Sequence, residues 1–187
     1  MSEEKKPASR IWKTAGILLT IILLIAVLAI RLLPEQTRPT NPTSSDEQSS
    51  SMLDFRLRDI DGNTIALQDY RGKPVVLLFW TTWCPSCQAA TGELVSAQEQ
   101  LGDRAQVLGI NLTLNERTTA DVRRYAQENA LNFPVLLELT GSLPAKLGIR
   151  GVPTIFFLAT DGSIQLKHTG GLRAADVIRA VEQLIPE

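Results

Sequence analysis

The stretch from Val75 to Trp80, VVLLFW, is apolar at every position. A strand with one wet face alternates apolar and polar residues. An unbroken run that follows Pro74 suits a central strand buried on both faces, with other elements layered over each side. The rest of the chain from Met52 supplies those elements. FRLRDIDGNTIALQDY reads as a short hairpin turning at Asp61-Gly62. A helix is expected from about Pro85 to Leu101, and a second buried strand from Ala105 to Leu112. Val122, Tyr125, Ala126 and Ala130 recur at helical spacing behind a capping-box-like Thr118-x-x-Asp121. FPVLLE is a short strand, and Thr154 to Ala159 is a third long one. The Asp161-Gly162 turn then leads to the alternating SIQLKHT as its hairpin partner. Val177, Ile178, Val181, Leu184 and Ile185 share one face of a closing helix. The fold class expected from these patterns is α/β, one sheet with helices on its faces.

At 187 residues the chain has room for one such domain and for whatever its ends add. Ala15 to Ile30 is apolar apart from Thr20, and with Ile11, Trp12, Leu32 and Leu33 it reaches about the twenty residues that cross a bilayer. A cleaved signal peptide competes with a retained anchor. Lys5, Lys6, Arg10 and Lys13 make a basic start, and Val27-Leu28-Ala29 fits a cleavage site. The run exceeds the roughly 7–15 apolar residues of a signal core and continues through Leu33, which favours the anchor. Either way the basic start stays inside and the remainder is exported. Pro34 to Ser51, PEQTRPTNPTSSDEQSSS, has almost nothing to bury and reads as a flexible tether with a reach of roughly 25 Å. The expected organisation is a cytoplasmic N-terminus over 1–13, a transmembrane anchor over 14–33, a tether over 34–51 and a folded domain over 52–187. That places the domain outside the cytoplasm, beside the membrane. A net charge of -1 gives no basic field for nucleic acid.

The chain holds two cysteines, Cys84 and Cys87, in FWTTWCPSCQAA. A disulfide stabilises mainly by closing a long loop, and this pair closes almost none. The pair is therefore there to react or to bind. With Cys84 between the buried strand and the helix, Pro85 falls at the first helical position, where its missing N–H is no loss. The N–H groups of Ser86 and Cys87 and the helix dipole then favour a thiolate at Cys84. Cys87, one turn further in, is more buried and ionises less readily. An exposed thiolate beside a reluctant thiol is what disulfide exchange requires: one attacks, the other resolves. Metal is the rival chemistry, but a closed zinc site needs four ligands, and one histidine and one cysteine pair do not supply them. That histidine, His168, falls in phase with Ile164 and Leu166, which reads as packing on the inner face or edge of the last hairpin. Asn111-Leu112-Thr113 matches a glycosylation sequon but ends a buried strand.

VVLLFWTTWCPSC followed by KLGIRGVPTIFFL resembles the thioredoxin fold. The N-terminal hairpin and the segment inserted from about Asn115 to Leu137 resemble the membrane-anchored TlpA/ResA-like branch of the redoxins. The resemblance covers nearly everything from Met52 on. It implies a central mixed sheet flanked by helices and a redox-active Cys84–Cys87 disulfide. It also implies an active-site loop of Trp83, Pro85 and Ser86, with Pro153 as a cis-proline facing the cysteines and Val152 pairing its backbone with an incoming peptide. No cofactor or metal is implied. The activity implied is reduction of protein disulfides in an oxidising compartment, as in apocytochrome c before haem attachment or in spore envelope assembly. Electrons would come from a membrane relay protein. The chain departs from the pattern at Leu78, where thioredoxins carry a buried aspartate, and at Ala90, where many TlpA-like proteins carry a glutamate. Two other classes stay open: a peroxiredoxin-like peroxidase, and a non-catalytic anchored metal chaperone or adaptor.

Overall fold

Val75–Trp80 (β3) is a strand buried at all six positions, because successive side chains feed two different cores. Val76, Leu78 and Trp80 join one apolar cluster, and Val75, Leu77 and Phe79 join the other. The computed structural model describes residues 53–185. The N-terminus over 1–13, the anchor expected over 14–33 and the tether over 34–51 lie outside the described residues. Among the described residues no helix is long and apolar enough to cross a membrane.

The first hairpin is Arg56–Asp59 (β1) and Thr64–Ala66 (β2). Its turn forms where the sequence places it. Gly62 takes φ 92°, and the Asp59 carboxylate accepts the N–H groups of Asp61 and Asn63 at 2.9 and 2.8 Å. After β3 come Pro85–Leu101 (α1) and Gln106–Asn111 (β4). The expected insertion becomes Thr119–Glu128 (α2) and Val135–Leu137 (β5). Then follow Ser142–Lys146 (α3), Thr154–Leu158 (β6), Ile164–Thr169 (β7) and Ala174–Glu182 (α4). The strands form one seven-stranded sheet in the order β2-β1-β5-β4-β3-β6-β7. β3, β4 and β5 run parallel, while β6, β7, β1 and β2 pair antiparallel, so the sheet is mixed.

Helix α1 buries Cys87, Ala90, Thr91, Leu94, Ala97 and Leu101, a stripe at three- and four-residue spacing. It shares the Val76/Leu78/Trp80 core with Val122 and Ala126 of α2 and Val177 and Val181 of α4. Leu143 and Leu147 meet Phe79, Phe156 and Leu158 in the second core, on the opposite face. Gly109 is a close-approach position: a Cβ there would lie 3.0 Å from the Phe133 ring and 3.2 Å from Trp80 Nε1. At the start of α2 the Thr118 hydroxyl accepts the Asp121 N–H at 3.2 Å, as its spacing predicts. It also donates to the Asp121 carboxylate at 2.8 Å.

Two features differ from the sequence reading. The α3 turn has no counterpart in it, because a five-residue helix containing Pro144 carries no readable period. It is set up by Gly141 at φ 73° and by the buried Glu138 carboxylate, which accepts the Thr140 hydroxyl and the Gly141 N–H, each at 2.6 Å. The second difference concerns β7. A bulge sets Leu158 opposite Ile164 and Phe157 opposite Leu166, so Ile164 and Leu166 fall on opposite faces. His168 lies opposite Ile155 and is half-buried, while Leu166 is exposed. The shared phase expected of these three residues is broken by the extra residue.

Candidate active site

The turn between β3 and α1 is built by a few local contacts. Cys84 is the N-cap of α1 with an extended backbone, and Pro85 occupies its first turn. The Cys84 carbonyl accepts the N–H groups of Cys87 and Gln88, both at 3.0 Å. That closes the first turn and leaves the Cys84 sulfur at the helix N-terminus. The Gln88 amide reaches back to the Thr82 carbonyl at 2.8 Å. From the other side the Glu116 carboxylate accepts the Thr82 N–H and hydroxyl and the Asn111 amide. The Trp83 indole N–H donates to the Asn115 carbonyl at 3.0 Å while the ring stays 61% exposed.

Both cysteines are thiols in this structure, and their environments differ. Cys84 keeps 8% of its surface exposed and Cys87 none. Burial works to raise the Cys84 pKa. It is outweighed by hydrogen bonds from the Cys87 thiol, from the Ser86 hydroxyl 3.2 Å away and from the backbone N–H groups of Cys87 and Ser86. The net effect is a thiol held below its ordinary value. Burial pushes the Cys87 thiol the other way, up to about 12, reinforced by its role as donor to Cys84. The backbone and hydroxyl of Thr81 oppose that rise only in part.

The loop after α3 completes the site. The Val152–Pro153 bond is cis, the geometry that the resemblance implies, and the Val152 carbonyl lies 3.8 Å from the Cys84 sulfur. The loop is braced by the Thr154 hydroxyl on the Gly151 carbonyl at 2.7 Å, and by the Gly170 N–H on the Pro153 carbonyl at 2.8 Å. Behind it, Lys167 Nζ from β7 donates to the carbonyls of Leu147 and Gly148, each at 3.1 Å, and sits over the Phe156 ring. A pocket of about 350 Å³ opens beside Trp83 and Val152, walled by Leu112, Pro144 and Ile149 with Arg150 at its rim. On the other side of Trp83 lies a polar hollow of about 300 Å³ lined by Glu116, Arg117, Arg124 and Glu128.

The structure thus brings together Trp83, Cys84, Pro85, Ser86, Cys87, Val152 and Pro153. Asn111 is buried and bonded to Glu116 and Thr113, so the sequon is a structural turn. Leu78 and Ala90 are buried in the same apolar cluster as Cys87 and bring no ionisable group to it. Among the described residues no group of His, Cys, Asp and Glu side chains is arranged to hold a metal ion. Sequence reasoning missed Thr81, Gln88, Asn111 and Glu116. The only local signal was the polar Thr81-Thr82 pair wedged between two tryptophans. Nothing local pointed to Glu116.

An asymmetric dithiol at a helix start, facing a cis-proline loop on a mixed sheet, defines a thioredoxin-fold thiol-disulfide oxidoreductase. The chain belongs to the AhpC/TSA family, whose family model matches residues 49–167. It is 32% identical over 124 residues to thioredoxin-like protein YneN of Bacillus subtilis, covering 66% of this chain and 72% of that protein. It is 29% identical over 140 residues to thiol-disulfide oxidoreductase ResA of Geobacillus thermodenitrificans, covering 73% of this chain and 78% of that protein. Among solved structures it resembles StoA from Bacillus subtilis with a TM-score of 0.61 at 28% identity, covering 67% of this chain and 93% of that one.

Proposed function

We propose that the chain is a membrane-tethered reductant of protein disulfides outside the cytoplasm, cycling between the Cys84–Cys87 dithiol and disulfide. The observation that supports this reading is the unlike placing of the two sulfurs: Cys84 caps a helix beside the Val152 carbonyl, where hydrogen bonds hold its pKa low, and Cys87 is wholly buried, which pushes its thiol up to about 12. At neutral pH one sulfur is ready to attack while its neighbour holds its proton. The Cys84 thiolate attacks a substrate disulfide and forms a mixed disulfide, releasing the first substrate thiol. Cys87 then attacks the Cys84 sulfur, forming the protein disulfide and releasing the second. The carbonyl of Val152 offers a main-chain acceptor to an extended substrate beside the reacting sulfur. Recognition of backbone suits unfolded clients, such as an apocytochrome c segment awaiting haem or a spore-envelope protein. Electrons returning the pair to dithiol come from a membrane relay protein, and residues 14–33 hold the domain at the membrane.

The test is turnover of insulin disulfides with a supplied reductant, together with trapping. Cys84→Ala is expected to abolish turnover. Cys87→Ala is expected to keep the first attack and accumulate mixed disulfides on Cys84. Trapping by Cys84→Ala instead would reverse the roles. A reduction potential near that of thioredoxin, about −270 mV, supports a reductant; one near about −120 mV makes the protein an oxidant.

A further inference from the structure

Thr81 follows the last residue of β3 and is wholly buried. Its hydroxyl has no hydrogen-bond partner among the described residues. A buried hydroxyl left unpaired costs the fold stability, and a catalytic role is one reason for such a group to be there. The sulfur within its influence is Cys87, buried in the apolar cluster that Trp80, the residue before Thr81, also joins. Both the backbone N–H and the hydroxyl of Thr81 act on that sulfur in the direction that favours its thiolate. The titratable groups that act with Cys87 are Cys84 at the start of the same helix and Tyr125 from α2, whose hydroxyl is engaged with Thr91 at 2.8 Å. Neither is a cation. Leu78 and Ala90 supply no charge or donor at the sites beside it.

We propose that Thr81 is a catalytic residue: its hydroxyl donates a hydrogen bond to the Cys87 sulfur as negative charge develops there, and so speeds release of the bound substrate. This rests on the reading of Cys84 as the attacking sulfur and Cys87 as the resolving one. In the resolving step the Cys87 sulfur bonds to the Cys84 sulfur. The bond from Cys84 to the substrate sulfur breaks, and its electron pair leaves with the substrate. The proton lost by Cys87 ends on that substrate sulfur, or in solvent where the substrate leaves as a thiolate. One thiol and one mixed disulfide become one protein disulfide and one substrate thiol, and Thr81 keeps its own proton throughout. A donor already in place when charge develops needs no reorganisation at that moment. Being uncharged, it leaves Cys87 protonated at rest, so the pair does not lose its asymmetry.

The test uses the reduced full-length protein mixed rapidly with dithiobis(nitrobenzoate), each half of which leaves as a coloured thiolate. The first burst reports attack by Cys84, and the second reports resolution by Cys87. Thr81→Val, which keeps the shape and removes the donor, is expected to slow the second burst about ten- to hundredfold. The pH midpoint of that burst is expected to move upward, while the first burst stays within about twofold. Thr81→Ser restores the donor and is expected to recover the second burst to within about threefold of wild type. If Thr81→Val does not fold, Thr81→Ala against Thr81→Ser gives the same comparison without added bulk. A second burst in Thr81→Val within about twofold of wild type overturns the proposal. So does a Thr81→Ser variant as slow as Thr81→Val, which would assign the effect to packing. Absence of the first burst in the wild-type protein overturns the underlying reading of Cys84 instead.

Discussion

The carboxylate of Glu116 receives the backbone N–H of Thr82 at 2.7 Å and its hydroxyl at 2.6 Å. Thr82 lies two residues before Cys84, so a loop of the inserted segment holds the entrance to the active-site turn. Hydrogen bonds to a charged group contribute about 1.5–3 kcal/mol each, and a partly exposed site keeps the lower part of that range. Glu116→Ala is expected to lower stability by about 2 kcal/mol. It is also expected to slow alkylation of Cys84 by loosening the turn. Chemical unfolding and iodoacetamide kinetics on one preparation measure both. A variant as stable and as reactive as wild type would show that the turn holds its shape without this clamp.

The Ser86 hydroxyl is one of the groups that hold the Cys84 thiol below its ordinary value. Removing it in Ser86→Ala is expected to move the alkylation pH midpoint upward by less than about one unit, since the backbone N–H groups remain. The pH profile of iodoacetamide reaction checks this. A downward shift would mean that the hydroxyl accepts from the thiol rather than donating to the thiolate.

Cys87 is an acid whose folded pKa is raised, so the folded state holds its proton more tightly than the unfolded chain. The resulting stabilisation is fully present below the ordinary thiol value of 9.0 and is lost as pH climbs toward about 12. Cys84 has the opposite sign: its contribution is present above the ordinary thiol value and is lost as pH falls through its lowered one. The reduced protein is therefore expected to weaken from pH 9.0 upward. Cys87→Ala is expected to lose less over the same range, although Tyr70 and Tyr125, both raised by burial, still titrate there. Urea unfolding of the two reduced proteins at stepped alkaline pH makes the comparison. Parallel curves would show that Cys87 is no harder to ionise folded than unfolded.

The anchor proposed for residues 14–33 has a separate consequence. The intact chain is expected to sediment with membranes, and a chain beginning at Met52 is expected to stay in solution with its disulfide reductase activity. Recovery of the native protein as a soluble exported species beginning at Ile30 would establish cleavage instead.

What could be read in the sequence was local. β3 announces itself because six adjacent apolar residues need no knowledge of the rest of the chain. The Asp61-Gly62 and Asp161-Gly162 turns and the Thr118 cap rest on contacts within four residues. The pairing of Cys84 with Ser86 is equally short-range. What could not be read depends on partners far along the chain or on a shift in register. Glu116 meets Thr82 only after β3 and β4 have paired in parallel. Ile164 falls out of phase with Leu166 and His168 because one inserted residue in β7 reverses every side chain on one side of it. Thr81 is silent in sequence because a buried hydroxyl without a partner is a property of the folded interior alone.

The bulged strand β7 also bears on how such a protein survives its clients. An open sheet ends in two rows of unpaired backbone groups, and an unfolded chain can add to either as a further strand and seed aggregation. Here one margin is β2, only three residues long. The other is β7, kinked by its extra residue and carrying Lys167, whose ammonium is tied inward to Leu147 and Gly148. Neither margin is a long, flat template. An extended polypeptide therefore finds no long, flat border at either margin on which to add as a further strand.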